Sequence, residues 1–396
     1  YPDQTDAQLV APFISMAYAL TPPPDLADPV VTIDLPGNLL DVLDFAPLVR
    51  EFYRRSSFSG NINEYVKAYQ KAADGRLRAS TGDMASEILS YLNTRPRTTI
   101  IDRIRTETKK PKGKTTLRNV ETRERERTFT IVPEMLAPLD TVNFVNVKDE
   151  YFVIVPAELP PDRDLRFSEA RRGFLQFVVD PLIYANSKDI ETIRQLVKNL
   201  LDERRKIDPS VSPDAYLTLS RSLVAAIDAK EVEHSRVKAL TAQARQRIDT
   251  LKTDEAKRAV VQELEKTKAG LADETALRLS EDYEKGALLS FFFAEQLNGF
   301  ADSGFDIASS IRDMLLAFDG TKENNRLGQF AEAGKRAEEA RKIAEAVRAA
   351  RRKDPEATNS IVENPVTNRL LEIQKLIEAK EYAKAGAELK LLRDKA

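Results

Sequence analysis

The chain changes from a strand pattern to a helical pattern between YFVIVP (Tyr151–Pro156) and SEARRGFLQFVVDPLIYAN (Ser168–Asn186). The first stretch is rich in β-branched and aromatic residues, which is typical of a strand. In the second, Phe174 and Phe177 fall on one face of a helix. A sheet that leads into a mainly helical region is therefore the predicted centre of the fold.

One small antiparallel sheet of about four strands is predicted over residues 97–156. The turn KKPKGK (Lys109–Lys114) separates the first two strands, and Lys148-Asp149 marks a compact hairpin between the last two. The four predicted strands are Thr98–Thr108, Thr115–Val132, Val142–Val147 and Glu150–Val155.

Helical periodicity covers most of the remaining chain. Residues 38–93 are predicted to form helices, with a new helix after Gly82, and Asp180-Pro181 is expected to punctuate a later one because proline lacks an amide donor. Leu288–Leu297 is apolar nearly all round, which predicts a central helix. The fold class is therefore α+β and predominantly α-helical, with a small antiparallel sheet, a helical region and C-terminal helical hairpins.

Four segments are predicted along the chain. They are an extended proline-rich arm (1–36) with a short helix near Ala7–Ala19, helices with the small sheet (37–160), a helical domain (161–322) and a helical interaction region (323–396). The arm either packs on its own domain or reaches a partner, since proline-rich chain is extended and short of donors.

Composition excludes several classes of enzyme. The 396 residues include no cysteine and a single histidine, so zinc-thiolate, thiol and histidine-triad chemistry are excluded. Lys+Arg is 61 and Asp+Glu is 63, a net charge of −2, so no overall field favours nucleic acid or an anionic membrane. No apolar run reaches the roughly 18–20 residues that span a bilayer, and we expect a chain that is not membrane-spanning.

The first residue is Tyr1 rather than methionine. Either a signal peptide has been removed or the chain given is incomplete. We expect an exported protein of the periplasm or cell envelope, with a cytoplasmic location as the alternative.

A basic hairpin lies between Arg95 and Arg127, where twelve Lys/Arg accompany five Asp/Glu. It could track a phosphate backbone, dock on an anionic lipid or acidic protein, or form a plain solvated sheet. The alternation RERER (Arg123–Arg127) favours cross-strand ion pairs, and aromatic residues for stacking on nucleic acid are missing. Candidate partner contacts in this hairpin are Lys109, Lys110, Lys112, Lys114 and Arg118.

Several stretches resemble an uncharacterised group of exported bacterial zincin-like proteins. They are Phe52-Tyr53 with Ser56 and Phe58, FTIVP (Phe129–Pro133), YFVIVP (Tyr151–Pro156) and the Ser168–Asn186 helix. In that group a sheet leads into a helix with H-E-x-x-H, in which two histidines bind zinc and the glutamate is the general base, and Asn-Pro follows. The resemblance covers roughly residues 40–320.

The resemblance implies a site whose chemistry has been lost. With the family's Asn-Pro placed on Asp180-Pro181, Arg172 and Gln176 stand at the histidine positions and Gly173 at the position of the general base. Arginine stays protonated and cannot ligate zinc, and glycine cannot act as a base. The resemblance thus implies a pseudo-peptidase, with Glu295 at the position of a former third ligand. The alternative is that Arg172 and Gln176 are plain polar residues of an amphipathic helix.

The tail from Pro365 to Leu392 has the length of a tetratricopeptide helix–turn–helix unit. Such a unit must pack on another element, so Tyr382 in its second helix is a further candidate partner contact.

The first functional hypothesis is a non-catalytic, exported binding or scaffold protein that needs no cofactor or metal and acts through protein partners. The second is a hydrolase that uses carboxylates, with or without a hard metal ion, which a deep cleft lined by Asp or Glu of raised pKa would favour. The third is a weak binder of nucleic acid or an anionic surface through the basic hairpin. Oligomeric state does not follow from the sequence.

Overall fold

The computed structural model describes residues 6–29, 42–56, 58–109, 116–134, 137, 142–147, 149–156 and 169–353. These residues fall into two compact units. One takes those within Tyr1–Val261 and Arg278–Arg326, and the other takes those within Gln262–Leu277 and Leu327–Ala396.

The described residues are mostly helical, which confirms the predicted α+β, mainly α-helical class. The strands are β1 (Thr99–Lys109), β2 (Thr116–Glu126), β3 (Thr128–Glu134), β4 (Asn143–Val147) and β5 (Glu150–Pro156). The helices are α1 (Asp6–Ala19), α2 (Ala46–Arg55), α3 (Phe58–Leu92), α4 (Ala170–Ala185), α5 (Ser187–Ile207), α6 (Ala215–Thr250), α7 (Asp254–Glu284), α8 (Ser290–Gln296), α9 (Phe300–Ser303), α10 (Ile307–Leu316) and α11 (Arg326–Lys353), with 3₁₀ turns at Leu43–Phe45 and Gly320–Asn325.

The strands form two sheets rather than the predicted single one. β1 and β2 pair antiparallel as a ribbon, and a second sheet has the order β3-β5-β4. In that sheet β4 pairs antiparallel with β5 as the predicted hairpin, whereas β3 pairs parallel with β5. The strand predicted over Thr115–Val132 is therefore two strands, which belong to different sheets.

Arg127 stands at the break between β2 and β3 and is 4% exposed. Its backbone N–H donates to the Thr98 carbonyl, and its guanidinium donates to the Arg97 and Phe177 carbonyls at 2.9 Å each. The guanidinium carbon also lies 4.5 Å from the Phe177 ring centroid and 5.0 Å from that of Tyr151. Cation–π contacts and hydrogen bonds compensate the burial of this charge, and they fix the point at which the chain changes sheets.

The three-stranded sheet is covered on both faces. Phe129 of β3 packs on Phe174 and Phe177 of α4, with ring centroids 5.1 and 5.8 Å apart. On the opposite face, Ile14 of α1 is buried against β4 and β5. The short helix predicted near Ala7–Ala19 is thus α1, and it packs on its own unit.

Helix α4 continues through Pro181 to Ala185, so the expected interruption at Asp180-Pro181 is wrong. A proline at position i leaves the carbonyl of residue i−4 without its amide donor. Here that carbonyl belongs to Phe177, and the Arg127 guanidinium donates to it. A side chain from the sheet therefore supplies the missing hydrogen bond.

Helices α6 and α8 form the centre of the first unit. Phe291 and Phe293 of α8 are almost fully buried, which confirms the predicted central helix. The Ser222 hydroxyl of α6 accepts a hydrogen bond from the Leu289 amide at 3.0 Å, at the start of α8. Nearly every residue from Leu219 to Ala229 of α6 is buried, so this stretch is the buried surface on which α4 packs.

Helix α3 runs without interruption through Gly82, where a new helix was predicted. A Cβ atom at Gly82 would meet no atom within 4 Å, so this glycine serves no close contact. Its intrinsic helix penalty of about 1 kcal/mol is small beside the packing of the rest of the helix.

The second unit contains part of α7 and most of α11. Ala337 of α11 is buried, and Gly334 lies next to Leu277. Arg336 forms a two-pronged ion pair with Asp273, with both hydrogen bonds at 2.7 Å. Within the described ranges, no helix combines the length and apolar character needed to cross a bilayer.

The tail predicted as a helical hairpin, including Tyr382, lies outside the described residues. So do Lys110, Lys112 and Lys114 of the basic turn.

Candidate functional site

The three positions of the degenerate pentad meet in one cavity. Arg172, Gly173 and Gln176 of α4 line a space of about 250 Å³ together with Phe144 of β4. The remaining lining comes mainly from α6 and the end of α7, with Ser220, Arg221, Val224, Ala225, Asp282, Lys285 and Ala287. Residues that the sequence suggested as one site are therefore neighbours around one cavity.

Arg172 is held by carboxylates on two other helices. Its terminal nitrogens donate to both oxygens of Asp282 at 2.7 and 2.8 Å, and its Nε donates to Asp228 Oδ2 at 3.1 Å. Burial lowers the pKa of Arg172, but the hydrogen bonds to Asp282 and the charge of Asp228 outweigh that effect and raise the pKa above its ordinary value. A permanently charged and fully engaged guanidinium has no lone pair to offer a metal or a proton.

Asp228 is the centre of a buried charge cluster, defined by Arg171, Arg172, Arg278, Asp228, Glu231 and Asp282. Arg171 donates from Nε to Asp228 at 2.9 Å and pairs with Glu231, and Arg278 donates to Asp228 at 2.9 Å. Burial raises the pKa of Asp228, but Arg278, Arg172 and Arg171 outweigh it and hold the pKa below its usual value. Three positive and three negative groups balance, so the cluster carries no net charge.

Gly173 is fixed by the sheet that packs on α4. A Cβ atom at this position would lie 2.7 and 2.8 Å from two ring carbons of Phe144 and closer still to a methyl group of Val153. Such distances are well inside van der Waals contact, so only glycine lets the helix approach the sheet this closely. The lack of a base at this position therefore has a packing cause of its own.

Gln176 and the rim complete the cavity. Gln176 is half-buried, and Arg221 and Lys285 are exposed at the opening. The cavity is thus lined by amide, cationic and apolar side chains. Its one carboxylate, Asp282, is already paired with Arg172. Among the described residues, no group of three or more His, Asp or Glu side chains is arranged to hold a metal ion.

Two sequence candidates lie elsewhere. Glu295, suggested as a former third ligand, does not line this cavity, and its carboxylate pairs with Arg326. The single histidine, His234, does not line the cavity either; it is half-buried, and its ring centroid lies 5.8 Å from that of Tyr91.

Buried carboxyls with a raised pKa do exist outside the cavities. Burial raises the pKa of Asp180 although Ser220 and Tyr151 donate to it at 2.6 and 2.8 Å. Burial likewise raises the pKa of Glu323, which pairs with Arg326.

Three spaces are each lined by a single aspartate. They are the cavity at Arg172, a space of about 1090 Å³ near Arg95, and the groove described next. None of these three spaces presents the pair of carboxyls that glycoside hydrolysis commonly uses.

A second site, which the sequence did not suggest, is a groove of about 1260 Å³ between helix α3 and strand β3, hereafter the α3–β3 groove. One wall is a face of α3 from Tyr65 to Gly82, and the other is β3 from Phe129 to Pro133. At one point the Tyr69 hydroxyl donates to the Pro133 carbonyl and joins the two walls. The volume exceeds the roughly 300–1,000 Å³ of typical small-molecule pockets.

The outer edge of β3 faces this groove. Thr128 donates its amide to Asp149 beside β5, so residues 128, 130 and 132 direct their backbone groups toward β5. Backbone groups alternate along a strand, so Phe129, Ile131 and Pro133 direct theirs toward α3. The bond from Tyr69 to the Pro133 carbonyl agrees with that assignment, as does the position of a proline, which is tolerated where its nitrogen faces away from the sheet.

The basic hairpin is described through its backbone. Lys109 stands opposite Thr116, and Arg118 stands opposite Glu107. Asp102 stands opposite Arg123 in the same ribbon, so the register sets opposite charges across the strands at two positions. Within RERER, however, Glu124, Arg125 and Glu126 stand opposite Ile101, Ile100 and Thr99, so the register gives that stretch one oppositely charged pair, at Arg123.

No family model, curated protein or solved structure matches this chain. The zincin-like and tetratricopeptide-like resemblances therefore stay predictions.

Proposed function

We propose that this chain is a non-catalytic binding or scaffold protein, a pseudo-peptidase that acts through protein partners as a peripheral part of a larger envelope complex. The observation that carries the proposal is how the residues at the former catalytic positions, Arg172 and Gly173, are held in the structure. Arg172 is engaged by two carboxylates and Gly173 is enclosed by the sheet, so both positions serve the fold. Export to the periplasm or cell envelope belongs to the same proposal.

The α3–β3 groove supports the binding part of the proposal. It is larger than a typical small-molecule pocket, and Val66 on its helical wall is 45% exposed. Exposed apolar side chains beside an open strand edge are typical of surfaces that bind other chains.

The test is native purification of the full chain with quantitative mass spectrometry of the proteins that accompany it. We expect a partner in a fixed stoichiometric ratio that persists through size-exclusion chromatography. A chain that runs alone as a monomer would contradict the proposal.

A parallel test addresses catalysis. The full chain is incubated with a mixture of peptide and ester substrates, and Asp282→Asn is compared with the wild type. We expect no turnover by either protein. Turnover that the substitution abolishes would favour the carboxylate hydrolase instead.

A further inference from the structure

We propose that the α3–β3 groove binds an extended, acidic segment of a partner protein, which pairs with the outer edge of β3 as an added strand. This inference rests on the proposed function and names the chemistry of the partner. Strand addition uses main-chain hydrogen bonds for affinity and alternate side chains for specificity.

The first step is the supply of backbone groups. Phe129 and Ile131 direct both an N–H and a C=O toward the groove, and no hydrogen bond from those groups to α3 is seen within the described ranges. An unpaired edge of this kind is a template for another strand. Phe129 to Pro133 spans about 13 Å, which matches about five residues of an extended peptide.

The second step is charge. The helical wall presents Lys67, Lys71 and Arg78 against a single carboxylate, Asp74, and Arg78 already pairs with that carboxylate at 2.7 Å. Lys67 and Lys71 are exposed, and neither has an ion-pair partner among the described residues. Two uncompensated cations on one wall select against basic segments and favour acidic ones.

The third step is spacing. Lys67 and Lys71 are four residues apart on a helix, so their Cβ atoms are about 6 Å apart on one face. Side chains at i and i+2 of a strand lie about 6.6–6.8 Å apart on one side. An acidic-x-acidic pattern therefore matches the two lysines, with apolar residues between and beside the acids to meet the groove.

The experiment measures fluorescence anisotropy of a fluorescein-labelled peptide, TVEVEVT, with the full chain. The matched probe TVKVKVT has the same length and strand propensity with reversed charge. We expect TVEVEVT to bind about tenfold more tightly than TVKVKVT, and the variant Lys67→Glu/Lys71→Glu to reverse that order. The control variant Lys198→Glu, on an exposed face of α5, is expected to leave both affinities unchanged.

A second measurement tests the strand geometry. N-methylation of TVEVEVT at alternate residues removes the amides of one edge at a time. We expect one methylation register to abolish binding and the other to be tolerated, because only one edge of an added strand pairs with β3. Equal effects of both registers would contradict strand addition.

Other outcomes overturn the inference in distinct ways. Equal binding of both probes would refute the acidic class, and no binding of either probe would refute the groove as a peptide site. A dimer in sedimentation that Val66→Asp disrupts would assign the groove to a second copy of this chain. A native partner that still accompanies Lys67→Glu/Lys71→Glu in full ratio would refute this inference and leave the proposed function intact.

Discussion

The buried charge cluster beside the Arg172 cavity and the α3–β3 groove both contain cations, but they differ in how those cations are compensated. In the buried charge cluster, each arginine donates to at least one carboxylate, and Asp228 accepts from three of them. In the groove, Lys67 and Lys71 have no ion-pair partner within the described part of the chain. Compensated charges stabilise the fold that holds them, whereas uncompensated ones are available to a ligand. The predictions below test that contrast from the largest expected effect to the smallest.

Asp228→Asn should have the largest effect. It leaves Arg171, Arg172 and Arg278 facing a neutral amide in a buried site, which typically costs about 3–5 kcal/mol of unfolding free energy. Urea unfolding followed by circular dichroism measures the change. Lys67→Glu in the groove is the matched contrast and should leave the unfolding midpoint where it is. A small loss for Asp228→Asn would mean that the cluster is not a structural element.

Arg127→Met should rank second, with a loss of about 2–3 kcal/mol, because the substitution removes a charged donor and leaves the Phe177 carbonyl buried and unpaired. In a Pro181→Ala background, the restored amide can serve that carbonyl. The loss there should be smaller by about 1 kcal/mol in a double-mutant cycle. Strict additivity of the two substitutions would show that Arg127 does not compensate the proline.

Two glycine substitutions should have opposite signs. Gly173→Ala forces a methyl group against Phe144 and Val153 and should cost about 1–3 kcal/mol, as overpacking does. Gly82→Ala enters open space on α3 and should stabilise by about 0.5–1 kcal/mol through helix propensity. Thermal unfolding of both variants measures the difference. A neutral Gly173→Ala would remove the packing explanation for this glycine.

Asp180→Asn should reveal the smallest, pH-dependent effect. The folded pKa of Asp180 is raised above its ordinary value of 3.8, so the folded state binds this proton more tightly than the unfolded state does. Relative to Asp180→Asn, the wild type should therefore lose stability as the pH rises from about 3.8 through the raised pKa, and then stay level. Parallel urea titrations at several pH values measure this difference. If the wild type instead gained stability relative to Asp180→Asn as the pH rose, the hydrogen bonds from Ser220 and Tyr151 would outweigh burial and lower the pKa of Asp180.

Local patterns were enough to predict much of the fold. The all-round apolar character of Leu288–Leu297 predicted a buried helix, because a helix without a polar face has no stable place at the surface. The β4–β5 hairpin followed from two short apolar runs on either side of Lys148-Asp149. The parallel pairing of β3 with β5 could not be predicted from local patterns. It depends on which strand lies beside β5 in the folded chain, and the residues of either strand alone do not indicate that.

The candidate sites were less accessible to sequence reasoning. The resemblance brought Arg172, Gly173 and Gln176 together, but their partners Asp228 and Asp282 come from distant helices that no local spacing indicates. The groove was missed for the same reason, although two signals existed. Tyr65, Val66 and Tyr69 form an apolar stripe on α3, and Pro133 inside a strand pattern indicates an edge strand.

The bond between Arg127 and the Phe177 carbonyl makes a proline in one helix depend on a side chain from a distant part of the chain. A sequence that kept Pro181 but lost the donor at position 127 would leave the Phe177 carbonyl without a helical amide and without its side-chain partner.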